Sequence, residues 1–361
     1  VEGGIKDFRE SQLWIKGRVS GAVAQGLSYV QRSPLGPTIG DLFQRLSGKG
    51  LLQAQVSMDF PLHHMDRHKV DVDLALTKAM LAVSDIPQPV SELSGNLHIK
   101  NSEITTASLS GRFMQGAFKL KTEPSAGGHS MLVADGQLQA QSLVQLVNLP
   151  SWVKLNGATT YRLSIPGYVQ LNSAGVRQLY SVSSPLEGLQ IDLPEPLGKP
   201  SKAQRSLMLS VEMPETSALQ VRGSLGELRS LLRFKQSKNH WQFDRGGLRA
   251  DGIAAALPAH SGLRVEGKLE RFSLDEWLQL DVAPSLKNSV ASETRLQDVL
   301  RAANVTVDHF YWYGFEWPAL RAVLQATDTG WRVDVSGDHA SGQVRVPYAF
   351  TSGSPLMLNM D

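Results

Sequence analysis

The strongest constraint on the fold is an alternation of apolar and polar residues that recurs along the chain. In residues 70–76, VDVDLAL, apolar side chains occupy every second position, and the same period is found in residues 207–213, 331–335 and 344–346. Successive side chains of a strand point to opposite faces, so this period is typical of a strand with one face buried. The sequence therefore predicts half-buried strands over most of its length.

Short clusters of glycine, asparagine, aspartate and serine separate these segments, among them LSGN, DTG, SKN and FDRGG. Such clusters supply the turn chemistry of antiparallel hairpins. Two stretches, ASLSGRFMQGAFKLK and VDVSGDHASGQVRVP, share the same order of Ser-Gly, four residues and a second glycine. We interpret each as a hairpin, and the chain as a meander of roughly 20 strands.

Helical signals are few and short. We expect brief helices in SGAVAQGLSYVQRSPLG, GPTIGDLFQRLSG, SLVQLVNLP and SLDEWLQLD. Each segment is limited by proline, glycine or its own length, and Ser142 and Ser273 are candidate N-caps of the last two.

Composition limits the function. Apolar residues make up 42% of the 361 residues, which argues for a folded chain, and 36 basic against 34 acidic residues provide no charge excess for nucleic acid. No apolar run reaches the roughly 18 residues of a membrane span, and the absence of cysteine fits an oxidising compartment. The non-methionine start and the alternating last segment suggest a piece of a longer protein, with any membrane anchor outside it.

A meander this long has several possible architectures. It can fold into a sandwich, close into a barrel, or remain an elongated trough, and alternation alone does not choose among them. Composition shifts at 192–205 and 281–298 mark candidate loops, and we divide the chain at 1–200 and 201–361 as two parts of one continuous architecture. The trough would have a continuous apolar interior suited to acyl chains.

Four segments resemble a known family: GRVSGAVAQGLSYVQRSPL, LSGNLHIKNSEITTASLSGRFMQGAFKL, LEGLQIDLPEPLGKP and GLRVEGKLERFSLDEWLQL. They are similar to the periplasmic region of the YhdP family, the very large AsmA-like proteins of Gram-negative bacteria. The most specific pattern lies at Leu193, Pro194, Pro196, Leu197, Gly198, Lys199 and Pro200. The resemblance runs through most of the chain in the family's order.

The resemblance implies a mainly β fold, in which an elongated, twisted antiparallel sheet is curled into an apolar groove with a few short helices. It further implies a segment of an inner-membrane-anchored protein that crosses the periplasm and carries phospholipids toward the outer membrane. The implied partners are phospholipid acyl chains and envelope proteins of the inner and outer membranes. The alternative is a non-catalytic scaffold of the cell envelope whose β walls are filled by their own side chains and which binds partners by edge-strand addition.

Alternation predicts which side chains face the groove. We expect the polar residues Asp71, Asp73, Glu212, Arg332, Asp334 and Arg345 to point to water or to a covering loop. The residues expected to face the groove and contact lipid are Val70, Val72, Leu74, Leu76, Leu97, Ile99, Leu207, Leu209, Val211, Val333, Val335, Val344 and Val346.

Catalytic and cofactor chemistry is not expected. The run HHMDRH offers His63, His64, Asp66 and His68, but no second cluster completes a metal site, and a solvated loop is the favoured interpretation. No phosphate-cradling loop or nucleophile elbow is present, so we predict no enzyme and no cofactor. The aromatic run HFYWYGFEWP, 309–318, is interpreted as strand packing, with a lipid or partner contact or carbohydrate stacking as alternatives.

Overall fold

The structure, a computed structural model, describes residues 2–5, 12–32, 46–61, 68–83, 88–101, 103–125, 128–147, 149, 152–167, 176–237, 240–280, 296–338, 341–348 and 357–360. Within these ranges there are four short helices, namely α1 (Val23–Arg32), α2 (Ala140–Val147), α3 (Leu274–Leu278) and α4 (Leu296–Val299). The strands in the same ranges are β1 (Glu2–Ile5), β2 (Gln12–Ala22), β3 (Leu46–Pro61), β4 (Lys69–Val83), β5 (Val90–Lys100), β6 (Glu103–Phe113), β7 (Gly116–Pro124), β8 (Ser130–Gln139), β9 (Lys154–Pro166), β10 (Arg177–Ser184), β11 (Leu189–Asp192), β12 (Leu207–Glu215), β13 (Ala218–Leu225), β14 (Leu228–Ser237), β15 (His240–Arg249), β16 (Gly262–Ser273), β17 (Leu300–Trp312), β18 (Phe315–Ala326), β19 (Gly330–Ser336), β20 (Ser341–Pro347) and β21 (Met357–Met360).

The prediction of a mainly β chain with a few short helices is confirmed. No described helix has the length and apolar character needed to cross a membrane.

Two compact units divide the chain. Unit 1 contains Val1–Leu146 and Thr160–Val182, and unit 2 contains Val147–Thr159 and Ser183–Asp361. Strands β9 and β10 therefore contribute residues to both units. The division of the chain into segments 1–200 and 201–361, which we derived from composition, stays a prediction.

Unit 1 contains an antiparallel meander. Strands β1 to β7 each pair with the next strand along the chain, which ends this meander at β8. In the hairpin between β6 and β7, Phe113 pairs with Gly116. The two residues between them, Met114 and Gln115, form the turn, and both have positive φ. The second copy of the Ser-Gly pattern is also a hairpin, between β19 and β20 in unit 2, where Ser336 pairs with Ser341. The hairpin interpretation of both stretches is therefore confirmed.

The core of unit 1 lies on one face of this meander. Because cross-strand partners share a face, pairing defines a continuous row across β3–β8, which we call the unit 1 row: Leu52, Leu76, Gly95, Leu109, Leu120 and Ala134. Helix α1 packs on the same face, where Val23 is only 2% exposed and belongs to the same hydrophobic cluster as Leu76 and Leu109. The apolar face of unit 1 is thus partly filled by the protein itself.

Gly95 is required for this row. It has φ +134°, and a Cβ there would approach the Ser108 carbonyl oxygen to 2.1 Å. The register shifts on either side of it place the backbones of β5 and β6 in close contact. Only glycine accommodates both the backbone conformation and this approach.

Unit 2 departs from the predicted antiparallel pairing at two connections. Strands β12–β15 and β17–β21 are antiparallel meanders, but β15 pairs with β16 and β16 with β17 in parallel. Period-2 alternation is identical in parallel and antiparallel strands, so the sequence pattern did not distinguish them. The connection from β15 to β16 is the long segment 250–261, which packs against β15 where the Ala256 carbonyl lies close to Gly247.

Three of the four helices expected from the sequence are present in the described residues. Helices α1, α2 and α3 fall in three of the four expected segments, and the Ser273 hydroxyl accepts a hydrogen bond from the Glu276 N–H as the N-cap of α3. Ser142 was wrongly assigned as an N-cap, because α2 begins at Ala140 and the buried Ser142 hydroxyl donates to the Met114 carbonyl in the β6–β7 turn. Of the fourth segment, 36–48, residues 36–45 lie outside the described ranges and 46–48 belong to β3.

The segment LPEPLGKP, predicted as part of a loop, is held by cationic side chains. The Lys199 ammonium donates to the carbonyls of Pro200 at 3.0 Å and Ala203 at 2.5 Å, and Lys199 is only 3% exposed. The Arg205 guanidinium donates to the Pro196 carbonyl at 2.8 Å. This loop therefore has a fixed conformation that satisfies its own carbonyl groups.

Candidate functional site

The candidate site in unit 2 is an apolar row that crosses the strands. Pairing from β12 to β20 places one residue of each strand on a common face, and we call this set the unit 2 row: Leu209, Gly223, Ser230, Leu248, Val265, Ala303, Leu324, Val333 and Val344. Neighbouring strands lie about 4.8 Å apart, so the row extends for about 38 Å. Most of its members are aliphatic, and none is charged.

The neighbouring row, displaced by one residue along each strand and therefore on the opposite face, is mostly polar. Its members are Met208, Ser224, Arg229, Arg249, Glu266, Asn304, Val323, Asp334 and Gln343. Polar contacts connect several of them: the Arg249 guanidinium donates to Glu266 at 3.4 Å, and the Gln343 amide donates to Asp334 at 2.7 Å. Along this row the sheet of unit 2 is apolar on one face and polar on the other. Elsewhere segment 250–261 and α3 cover part of the second face, at Gly247 and Phe272.

The predicted groove-facing residues fall into two groups, one in each unit. In unit 1, Val72 pairs with Ile99 and Leu74 with Leu97. In unit 2, Val333 pairs with Val344 on neighbouring strands, whereas β12, which carries Leu207, Leu209 and Val211, is connected to them through the intervening strands of the unit 2 row. The structure brings each group onto one face; lipid contact by these residues stays a prediction.

Most of these side chains are incompletely covered. Val70, Val211 and Leu76 are buried, with exposures of 7%, 5% and 6%, and the remaining predicted groove-facing residues are half-buried. Among the described residues, no large side chain is less than 2% exposed. A close-packed sandwich core contains many fully buried side chains, so these apolar faces retain accessible surface.

The family comparison covers the whole chain. A family model described as YhdP protein matches residues 1–361. The chain belongs to the YhdP family. No curated protein and no solved structure matches it. Membership of the YhdP family, an envelope protein family, indicates a bridge-like role in lipid transport.

The aromatic run of this YhdP-family chain forms a tight hairpin. Strand β17 ends at Trp312 and β18 begins at Phe315, with positive φ at Tyr313 and Gly314 between them. The Asp275 carboxylate in α3 accepts hydrogen bonds from the backbone N–H groups of Tyr313 at 2.9 Å and Gly314 at 3.0 Å. A short helix thus fixes the hairpin turn.

Part of the aromatic run packs as we expected. The Phe310 ring stacks on Phe272 at 6.2 Å, and Phe272 stacks on Trp277 of α3 at the same separation. By contrast, Tyr313 is 78% exposed and Phe315 68% exposed at the hairpin tip. Packing therefore accounts for the middle of the run and not for its tip.

The structure describes only one of the four metal-ligand candidates in the run HHMDRH. His63, His64 and Asp66 lie outside the described residues, and His68 stacks on Phe60. Sequence analysis missed a cluster of His98 with Asp71 and Asp73, because the cluster joins two strands whose register the sequence does not specify.

That cluster lies on the hydrated face of unit 1. The His98 Nδ1 is 2.9 Å from Asp73, and its Nε2 is 3.8 Å from Asp71. One ligand atom from each of the three residues lies within 4.8 Å of the others, so the spacing is compatible with a shared metal ion, but exposed acidic groups of this kind are common without one. The three side chains form a network of exposed polar contacts. This agrees with the prediction that Asp71 and Asp73 point to water or to a covering loop.

A buried carboxylate stabilises the β14–β15 region of unit 2. Asp244 is 8% exposed and lies in a register shift between the two strands, where it contacts Lys235 at 3.0 Å, Arg245 at 2.9 Å and the Ser261 hydroxyl at 3.1 Å. Burial by itself raises its pKa, but the hydrogen bonds from these three partners outweigh burial and hold the pKa of Asp244 below its ordinary value.

We expect Asp244→Asn to lower the free energy of unfolding by about 1–3 kcal/mol at pH 7, because the variant loses charge-assisted hydrogen bonds in a buried position. Since the folded pKa is lowered, this stabilisation is complete above the unfolded pKa of about 3.9 and is lost as the pH falls through the folded pKa. Urea denaturation of both proteins from pH 7 to pH 3 measures the difference. An equal difference at all pH values, or an equal loss in the exposed control Asp334→Asn, would contradict the assignment.

Proposed function

We propose that this chain is a segment of a periplasm-spanning, inner-membrane-anchored protein that shields phospholipid acyl chains and conducts them toward the outer membrane. The mechanism is passive: acyl chains lie along the apolar faces while headgroups remain in water. No residue acts as a catalyst, and no cofactor takes part. Each methylene group kept from water is worth about 0.8 kcal/mol, so a continuous apolar face lowers the cost of moving a lipid across an aqueous gap.

The unit 2 row is the observation that carries this proposal. It is apolar, crosses nine successive strands and consists largely of half-buried side chains. Its orientation across the strands fits an acyl chain lying along the row, since a surface of this kind gains free energy from any apolar occupant. The polar opposite face provides the hydrated exterior that a periplasmic protein requires.

A scaffold without lipid is the second candidate, and α1 favours it. Val23 and Leu27 of this helix pack on the apolar face of unit 1, where a side chain at Gly26 would collide with Leu52. Part of that face is therefore filled by protein. In this candidate the chain organises envelope partners through its strand edges and contains no lipid.

Site-specific photo-crosslinking in cells distinguishes the two functions. A photoreactive residue at Val335 or Leu209, on the apolar face of unit 2, is expected to capture phospholipid, detected by mass spectrometry of the purified adduct. The same residue at Asp334, adjacent in sequence to Val335 and on the opposite face, serves as the control. Lipid adducts at both faces, or at neither, would contradict the proposed path and favour the scaffold.

A further inference from the structure

The apolar face of unit 2 ends in a charged cluster at one end of β16–β18. Leu269, Val307 and Leu320 form a cross-strand row, and the next row on the same face consists of Arg271, His309 and Pro318. One further step brings Tyr311 opposite Glu316. The face therefore changes from apolar to charged within two residues along each strand.

We define the rim cluster as Glu195, Arg271, Glu276, His309, Tyr311 and Glu316. The Arg271 guanidinium lies 4.9 Å above the centre of the Tyr311 ring and donates to Glu276 at 2.5 Å. The Glu316 carboxylate accepts hydrogen bonds from His309 at 2.6 Å and from the Tyr311 hydroxyl at 3.0 Å. The cluster is therefore one connected network at the end of the strands.

The members of the network remain accessible. Side-chain exposures are 36% for Arg271, 41% for Glu276 and 45% for Glu316. The Arg271 Nη1 is 3.8 Å from the Glu195 carboxylate, beyond hydrogen-bond length, so the guanidinium keeps donor capacity for another acceptor. A ligand can reach both the cation and the carboxylates from solvent.

The charges of the cluster specify a ligand with two opposite charges. It contains three carboxylates, of Glu195, Glu276 and Glu316, and one guanidinium, with His309 as a further donor beside Glu316. Three carboxylates repel a purely anionic headgroup, whereas a primary ammonium offers three hydrogen-bond donors to them. The guanidinium matches a phosphate, which it binds in a forked geometry.

We propose that the rim cluster holds the headgroup of a zwitterionic, ammonium-bearing phospholipid such as phosphatidylethanolamine, with the ammonium on the carboxylates of Glu276 and Glu316 and the phosphate on Arg271. This inference rests on the proposed lipid function, because the acyl chains of the same molecule lie on the adjacent apolar rows. The headgroup stays at the accessible end of the strands, and the acyl chains extend over the half-buried Leu269 toward Val265 of the unit 2 row, because Val307 and Leu320 are themselves buried.

The test measures headgroup preference separately from acyl binding. The purified chain is loaded from an equimolar mixture of phosphatidylethanolamine and phosphatidylglycerol with identical acyl chains, and the bound lipids are quantified by mass spectrometry. We expect the wild type to enrich phosphatidylethanolamine about threefold or more, and the double variant Glu276→Gln with Glu316→Gln to lose the enrichment while binding the same total amount of lipid. The control Asp334→Asn removes a carboxylate of similar exposure, 45%, from the opposite face and should change nothing.

The outcomes separate the two proposals. Failure of the wild type to bind either lipid contradicts the proposed function itself. Binding without headgroup preference, or a preference that survives the double variant, overturns the rim assignment and leaves the proposed function intact. Soluble glycerophosphoethanolamine serves as a probe without acyl chains; if it binds as tightly as the lipid, the rim cluster is not a subsite of a lipid path and the inference is wrong.

Discussion

Replacing Val335 with aspartate should reduce the phospholipid recovered with the protein about tenfold or more, with only a moderate loss of stability. Val335 lies on the apolar face of unit 2 between Ala322 and Gly342 on the neighbouring strands, so a carboxylate has room there. An ionised carboxylate that interrupts an apolar path costs several kcal/mol unless it is hydrated, and hydration displaces the acyl chain. Quantitative lipid mass spectrometry and thermal denaturation are measured on the same preparation.

Val323→Asp is the matched control for this experiment. Val323 is also half-buried and lies on the adjacent strand. It is the cross-strand partner of Asp334 and therefore lies on the polar face. The like-charge neighbour is expected to cost about 0.2–1 kcal/mol of stability and to leave lipid recovery unchanged. If Val335→Asp unfolds the unit outright, the position belongs to a packed core; if both variants retain lipid, the path does not cross Val335.

Phe118→Ala should produce the largest loss of stability, about 3–5 kcal/mol in the free energy of unfolding. Phe118 is 8% exposed, belongs to the hydrophobic cluster of unit 1 and has a glycine as cross-strand partner on each side, Gly111 and Gly136. Its ring fills the space above Gly111, where an added Cβ would lie 3.1 Å from the ring atoms. The glycines on the two flanking strands supply no side chain to replace the ring, so Phe118→Ala is expected to leave a cavity.

The measurement is urea denaturation followed by hydrogen exchange of the unit 1 strands. Phe315→Ala serves as the control, because Phe315 is 68% exposed at the β17–β18 hairpin tip and its removal should change stability by about 0.5 kcal/mol or less. Equal effects of the two variants would show that the Phe118 site has no packed core. A second variant, Gly111→Ala, should also destabilise unit 1, since the methyl group meets the Phe118 ring and the Ser91 carbonyl at 3.1 Å.

Local patterns were sufficient to predict most described strands and three of the four described helices; α4 was missed, because it overlaps the segment 281–298 that composition marked as a loop. Alternation in residues 70–76 and 331–335 depends only on the pleat, and the Ser273 N-cap depends only on residues within one helical turn. Ser142 was misassigned because the nearby sequence resembles that of Ser273, whereas its hydroxyl bonds to a turn 28 residues away. The aromatic run was correctly assigned to a strand region, but its turn is fixed by Asp275, which is 38 residues from Tyr313.

The candidate site was predictable in part. The apolar faces follow from alternation, and the register then places Val333 beside Val344 and Leu74 beside Leu97. The rim cluster was not predictable, because Arg271 and His309 become neighbours only through a parallel pairing. A signal was present in the sequence, since alternation places charged residues at Arg271 and Glu316 in phase with apolar Leu269 and Leu320, but it has no meaning until the strands are aligned.

The sequence by itself determined which segments are strands, which side of each strand is apolar and where most hairpins turn, because these properties are set by side-chain period and local turn chemistry. Only the tertiary structure decided that β16 pairs in parallel with both neighbours, that α1 lies on the apolar face of unit 1 and that a charged cluster closes the apolar face of unit 2. These features depend on register between residues far apart in the chain. A period of two specifies the face of each residue and leaves the choice of partner open, so the partner is selected by packing over the whole unit.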